Sequence, residues 1–482
     1  MLQENQHITT RVKRKWLLII LAIKLVFFLY WAIHYDFYSK AGLVKNHIAV
    51  ELADTDTYYN PIDTWVNTGE YPTMCRMPGL APLYAPFYML FGKQVAYIAV
   101  IVLQFVFSVI SVYFLSIVAS RISKWKYAFH ATAITFSASA FVSVWDHVLL
   151  SDSFSVSFLL FSLYHFTSYF TQQKKISLFY AGFWLTWSVF IRQIAVIGFP
   201  VALLILFIVE RKKILRFIQI ASIFLISFMM IDGWWVIRNY RKENILVPMV
   251  KPIADCWQSY SKQFMAINDL QITWGEDVQY WIANSSAAWF SAPNKQERPY
   301  PFRSGIMTSI CNQDSILSLQ HDYVTYRFEK DSLLKNLAGE RVLAKCAAFK
   351  KAYVIEHPAD YWMIKRLLMF RQFVLPFRHD NLPGPSFAEM NIFQKAVKSG
   401  YLGLLLLVNL LALLALVYAL VKRNSTIIMF GLLPMGIVAF LAILLGYIEQ
   451  RYFVPVYPFF LVLAIWFVGE IIAQRTNKTQ GA

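Results

Sequence analysis

Apolar and polar stretches alternate along this chain on a scale of about twenty residues, the length a helix needs to cross a bilayer. The first apolar run covers 16–34, behind a polar head that carries Arg11, Lys13, Arg14 and Lys15. It is too long for a removable signal peptide, and no small-residue cleavage site follows it. Further runs at 95–119, 127–145, 154–171, 177–191, 194–209, 217–235, 399–421, 426–446 and 452–473 bring the total to about ten. The stretch 83–92 reads as a short interfacial or re-entrant piece. The runs on either side of Arg192-Gln193 are short and share a bend. The pattern predicts an all-α polytopic membrane protein with about ten transmembrane helices.

One interval breaks the alternation. Residues 236–397 mix both charge signs with Trp and Tyr clusters, and "NKQERPYPFRSG" and "LPGPS" within them read as loops. Such a length suffices for a small domain. Its stretch 340–375, with "YWMIKRLLMFRQFV", has the makings of an amphipathic helix lying on a membrane. Three segments follow: an N-terminal transmembrane module at 1–235 containing a first exported loop at 35–94, a mixed exported domain at 236–397 between the seventh and eighth helices, and a C-terminal transmembrane module at 398–482.

Charge fixes the orientation. Lys and Arg number 45 against 28 Asp and Glu, a formal +17. In a soluble chain this would point to nucleic acid. Here the chain is 58% hydrophobic and only 15% charged, and much of the excess falls in short connections: 121–126, 173–175, 210–213, 422–423 and 475–478. Short basic loops mark the cytoplasmic side. The intervening turns hold Asp146, Asp152 and the acids of 51–70. Both termini are therefore expected in the cytoplasm. The cysteines agree: Cys75, Cys256, Cys311 and Cys346 all fall on the expected exported side, where one or two disulfides can form. No CxxC or paired His/Cys spacing suggests a structural zinc site.

The ionisable groups at the exported membrane face are the candidates for chemistry. They are Asp54, Asp56, Asp63, Glu70 and Arg76 in the first loop, Asp146, His147 and Asp152, then Arg192, then Asp232, Arg238 and Arg241, and finally Glu449 and Arg451. Carboxylates and arginines at one depth suit a substrate with a sugar-phosphate head and a lipid tail. A carboxylate can take a proton from an attacking hydroxyl. Arginine's planar fork stays charged and matches phosphate oxygens. Each group also has a plainer reading. Asp54 and Asp56 sit where a helix N-cap would, Arg76 can brace its loop, Asp152 can cap the following helix, and Arg192, Arg238 and Arg451 can reach lipid headgroups. Lys24, inside the first span, must snorkel or face protein.

The order of these motifs resembles the GT-C glycosyltransferases. The likeness is to the bacterial group related to protein O-mannosyltransferases and lipid A aminoarabinose transferases. The residues that carry it are "DTDTYY", Gly69-Glu70-Tyr71, "RMPG" at 76–79, "LLSDSF" at 149–154, Arg192, "WWVIRNY" at 234–240 and "ERYFVPVYPFF" at 449–459. It covers most of 1–245 and 400–473 and fades in between. The resemblance implies a GT-C-like membrane glycosyltransferase with a polyprenyl-phosphate sugar donor and a glycan, lipid or protein acceptor. It implies a first-loop Asp as general base: Asp54 if the spacing to Tyr58 governs, Asp56 if that to Tyr59 does. Tyr58, Tyr59, Arg76, Asp152, Arg192, Arg238 and Arg451 become candidate substrate-binding residues. No metal ligand is assigned, although "DTD" also looks like an Asp-x-Asp that binds a divalent cation in some glycosyltransferases. The expected location is a bacterial inner membrane, with the catalytic side exported and membrane lipids, not nucleic acid, as the surroundings. The competing class is a transporter or lipid-linked glycan flippase, which would carry ionisable groups near mid-membrane.

Overall fold

The computed structural model describes residues 10–33, 48–52, 54–251, 261–275, 286–291, 300–374, 387–445 and 450–480. The chain forms two compact units. The first comprises Met1–Val250, Val374–Ile437 and Gln450–Ala482, and the second Lys251–Phe373 and Val438–Glu449.

The first unit is a helical bundle. Its helices are α1 (Thr10–Ile33), α2 (Thr55–Thr68), α3 (Ala81–Ile122), α4 (Ala128–Ser137), α5 (Asp152–Gln172), α6 (Lys175–Ile191), α7 (Gly198–Glu210) and α8 (Ile214–Glu243). In the second unit lie α9 (Lys262–Trp274), α10 (Gln313–Phe328), α11 (Ser332–Glu356) and α12, Lys365–Val374, whose last residue returns to the first unit. The chain closes with α13 (Ile392–Val421), α14 (Ser425–Ala439) and α15 (Tyr457–Gln480).

Every expected span has a helix under it. Among the described residues seven helices are long and apolar enough to cross a membrane, and an eighth is added if the bent pair 128–137 and 140–146 counts as one span. The chain is thus a multi-pass membrane protein. The difference from about ten lies in α5 and α6. Helix α6 is short. Helix α5 is rich in serine and buried throughout 152–162. Its serines knit it to α6: Ser162 Oγ donates to the Ala181 carbonyl (2.8 Å), Ser188 Oγ donates to the Ser155 carbonyl (2.8 Å), and the two hydroxyls lie 3.0 Å apart. Small residues let backbones approach where lipid gives no hydrophobic drive between helices. Gly182 does the same between α6 and α8, since a Cβ there would strike the Phe224 backbone.

The 83–92 piece is a distinct helical segment. At Gly92 (φ 79°) the backbone leaves the helical region and divides α3, a conformation that glycine reaches without a Cβ penalty. Lys24 faces protein. Its Nζ donates to Asp146 Oδ2 (2.8 Å) and Ser143 Oγ (3.0 Å), and it is fully buried.

The second unit has its own core, built from Trp274, Trp289, Phe290, Phe302, Tyr323 and Tyr353. Asn312 forms a capping box for α10, and the Asp331 side chain caps α11. Asp322 joins the two helices by accepting from Arg341 (2.8 Å) and Lys345 (2.7 Å). Cys311 and Cys346 are free and buried in this core, and burial pushes both thiols up to about 12. Cys75, in the first unit, is disulfide-bonded. Cys256 lies outside the described residues.

Candidate active site

The site is assembled at one end of the first unit. Residues 48–52 are pinned there by an isolated parallel bridge between Val50 and Val148. Val50 N donates to the His147 carbonyl and Leu149 N to the Val50 carbonyl, both at 2.9 Å. Thr55 then locks the start of α2, with its hydroxyl accepting from Leu52 N (2.9 Å) and donating to the Leu149 carbonyl (3.1 Å). This turn presents Asp54 at the N-cap position, although its side chain makes no cap hydrogen bond.

The Asp54 carboxylate instead meets a cation. Arg451 Nη2 donates to Asp54 Oδ2 at 2.9 Å, and the Asp54 side chain remains 37% exposed. One residue on, the Tyr452 ring lies 5.9 Å from the Arg451 guanidinium and 5.1 Å from that of Arg192. Arg192, at the end of α6, forms a buried ion pair with Asp152 at the start of α5. Burial is the largest influence on Arg192 and opposes its charge, but the Asp152 carboxylate together with Tyr58 and Tyr452 overcomes it and holds the guanidinium pKa above its ordinary value. Arg192 Nη1 also donates to Ser151 Oγ (3.4 Å), which donates to the Tyr58 hydroxyl (3.1 Å). The Tyr58 ring in turn carries the Arg76 guanidinium at 4.3 Å, and Arg76 Nε donates to Thr57 Oγ1 (3.2 Å). Thr57 closes the circuit by donating to the Asp54 carbonyl (2.7 Å).

Six of the residues singled out in the sequence therefore come together: Asp54, Tyr58, Arg76, Asp152, Arg192 and Arg451. Three lie apart from the network. Asp56 is exposed in the first turn of α2 and makes no hydrogen bond or ion pair among the described residues. Tyr59 is fully buried, packed edge-on against Tyr84 and Tyr97. Burial first, then its tyrosine neighbours, push its hydroxyl far above the usual range. Arg238 braces the first loop by donating to the Tyr71 and Thr73 carbonyls and stacking on Trp235. Glu449 lies outside the described residues.

Sequence reasoning passed over Thr57, Ser151 and Tyr452 as individuals. Each adjoins a residue it selected, and Ser151 and Tyr452 stand inside quoted motifs. The link from Lys24 to Asp146 was also unread. Asp146 Oδ1 accepts from Ser153 Oγ (2.7 Å), so this buried pair anchors the turn that delivers Ser151 and Asp152. His147 packs at 4.2 Å against Phe28, and burial lowers its pKa to about 4 against the pull of Asp146.

An apolar cavity of about 230 Å³ opens between α5, α6, α7, α8 and α14, lined by Leu159, Phe166, Leu185, Val201 and Phe430. None of the charged network lines it, so the charged network, and not cavity size, assigns the polar site. Among the described residues no group of three or more His, Cys, Asp and Glu side chains is arranged to hold a metal ion.

The fold and site together define a multi-pass helical membrane protein with a carboxylate–arginine cluster at one end of its bundle. No family model and no curated protein matches the chain. Two solved structures of ArnT from Cupriavidus metallidurans are similar to it. The one bound to undecaprenyl phosphate is 12% identical, with a TM-score of 0.37, over 95% of this chain and 78% of that one. The apo structure is 11% identical, with a TM-score of 0.36, over 95% and 77%.

Proposed function

We propose that the protein is a membrane glycosyltransferase that moves a sugar from a polyprenyl-phosphate donor to a hydroxyl of a glycan, lipid or protein. One observation carries this reading: a half-exposed carboxylate, Asp54, shares a single network with the arginines Arg76, Arg192 and Arg451. Half exposure leaves the Asp54 carboxylate open to an incoming hydroxyl. Asp54 accepts the acceptor's proton as its oxygen bonds to the anomeric carbon and the bond from that carbon to the phosphate oxygen breaks. The electron pair leaves on the polyprenyl phosphate. Arg192 and Arg451 hold the departing phosphate charge, and a preorganised, poorly hydrated guanidinium does so with little rearrangement. Attack opposite the leaving group inverts the anomeric centre.

Asp152 keeps Arg192 charged and oriented within the protein. Asp56, Tyr59 and Arg238 retain supporting roles on this reading, Asp56 at the exposed entrance and the other two in packing the loop. The basic connections gather at the far ends of the helices from this cluster. By the positive-inside rule that end is cytoplasmic, both termini lie there, and the network faces the exported side of a bacterial inner membrane. The apolar cavity suits the lipid tail of a donor or acceptor.

The transporter reading draws on the charge pair Lys24–Asp146 inside the bundle. Titration of the detergent-purified protein with undecaprenyl phosphate separates the two. The enzyme reading expects saturable binding that Arg192→Gln and Arg451→Gln each weaken about tenfold or more. No binding of the lipid phosphate by the wild-type protein would sink it and bring the transporter forward.

A further inference from the structure

The ion pair Lys24–Asp146 takes no part in the proposed chemistry, yet it is kept inside the bundle, where charge is costly. Both side chains are buried, 2.8 Å apart. A buried pair is weak evidence of stability, because apolar side chains of similar volume often replace one without loss. What such a pair supplies and apolar packing does not is direction. Here both partners engage one irregular turn, 143–151. Lys24 Nζ donates to Ser143 Oγ as well as to Asp146, and Asp146 Oδ1 accepts from Ser153 in the first turn of α5. The same stripe of α1 sets Phe28 and Trp31 against the His147 ring, at 4.2 and 6.1 Å.

The backbone of this turn makes few regular bonds of its own, so its buried carbonyls need outside donors. They find them on two sides. Gln104, fully buried on α3, donates through Nε2 to the Trp145 and Val148 carbonyls, each at 3.0 Å. The His147 and Leu149 carbonyls accept instead from the first loop, from Val50 N (2.9 Å) and Thr55 Oγ1 (3.1 Å). The turn is thus fastened to α1 and α3 on one side and to the stretch that carries Asp54 on the other. It ends at Ser151, and Ser151 and Asp152 hold Arg192.

We infer that Lys24 and Gln104 are positioning residues for the transfer: they fix the turn 143–151, and the turn fixes where Asp54 stands relative to Arg192. Neither side chain touches the reacting groups. Loosening the turn lets the loop at 48–58 shift while the Asp152–Arg192 pair between α5 and α6 stays intact. The proton acceptor then moves and the phosphate site does not. The catalytic part of this inference rests on the transferase reading above.

Lys24→Met alone strands a buried carboxylate, so the test uses Lys24→Met/Asp146→Leu, which removes both charges, and separately Gln104→Met. The double variant should unfold at the wild-type Tm or above. Hydrogen exchange across 48–58 should rise about tenfold in both variants. Turnover of a lipid-linked sugar should fall about 10–100-fold, since small misplacements cost that much, with the Kd for undecaprenyl phosphate within about threefold of wild type. Unchanged exchange across 48–58 in both variants would overturn the inference, as would wild-type turnover in the double variant. A Kd weakened in step with turnover would overturn it too, because the phosphate site would then have moved with the loop. Faster exchange across 48–58, in a protein whose wild type neither binds the lipid phosphate nor turns over, would uphold the coupling of α1 and α3 to the loop and sink the transferase reading instead.

Discussion

Replacing Asp152 by Asn removes a charge from a site that water scarcely reaches. The side chains of Arg192 and Asp152 are 10% and 2% exposed. Taking one partner from a buried pair leaves the other uncompensated and typically destabilises by about 3–5 kcal/mol. The lower end applies here, because Arg192 keeps its bond to Ser151 and its contact with the Tyr452 ring, and Asn still offers an acceptor. A loss of about 3 kcal/mol shifts the folding equilibrium roughly a hundredfold. Pairing Asp152→Asn with Arg192→Met removes both charges and should recover most of that loss. Thermal unfolding in one detergent at one heating rate, followed for wild type, both single variants and the double variant, reads this out. Asp152→Asn as stable as wild type would refute the reasoning, as would a double variant no more stable than Asp152→Asn. Turnover should be lost in all three, since each leaves the phosphate without a correctly held Arg192.

Other expectations follow from the same geometry. Gly79→Ala should destabilise strongly and impair activity, because its Cβ would lie 2.7 Å from Ile191 N and nearer still to the Phe190 carbonyl, just before Arg192; a Tm equal to wild type contradicts this. His147 titrates near 4 when folded against 6.5 when free, so the unfolded chain binds its proton first. Its contribution is complete above pH 6.5 and is lost as pH falls towards 4, by up to about 3 kcal/mol; His147→Gln should flatten that part of a Tm-against-pH curve. Tyr58→Phe deletes the hydroxyl that accepts from Ser151 and should cost about 1 kcal/mol in stability, measured by the same thermal scan.

The bundle was legible because lipid demands long apolar helices, and such runs read directly from sequence. The count was less legible at α5, where serines serve helix contact and lower the apolar signal. The site was legible as a set of ionisable residues at one depth, and chain order alone could not say which of them meet. Asp54 and Arg451 are separated by most of the chain, and only the fold brings them to 2.9 Å. Asp56 and Tyr59 show the limit of spacing: one helical turn decides whether a side chain faces the network, the solvent or the core. Lys24 shows a different limit. A lone cation in a span announces that it needs a partner, but Asp146 becomes that partner only through tertiary contact.

The most direct test of the account is the release of polyprenyl phosphate from a lipid-linked sugar by wild type, Asp54→Asn and Asp56→Asn. Because the Asp54–Arg451 pair is partly exposed, its loss should cost stability no more than about 1 kcal/mol, so folding does not confound the comparison. The account predicts that Asp54→Asn lowers turnover about 10²–10⁴-fold while still binding the lipid phosphate, and that Asp56→Asn stays close to wild type. Full turnover in Asp54→Asn, or its abolition by Asp56→Asn alone, would contradict it.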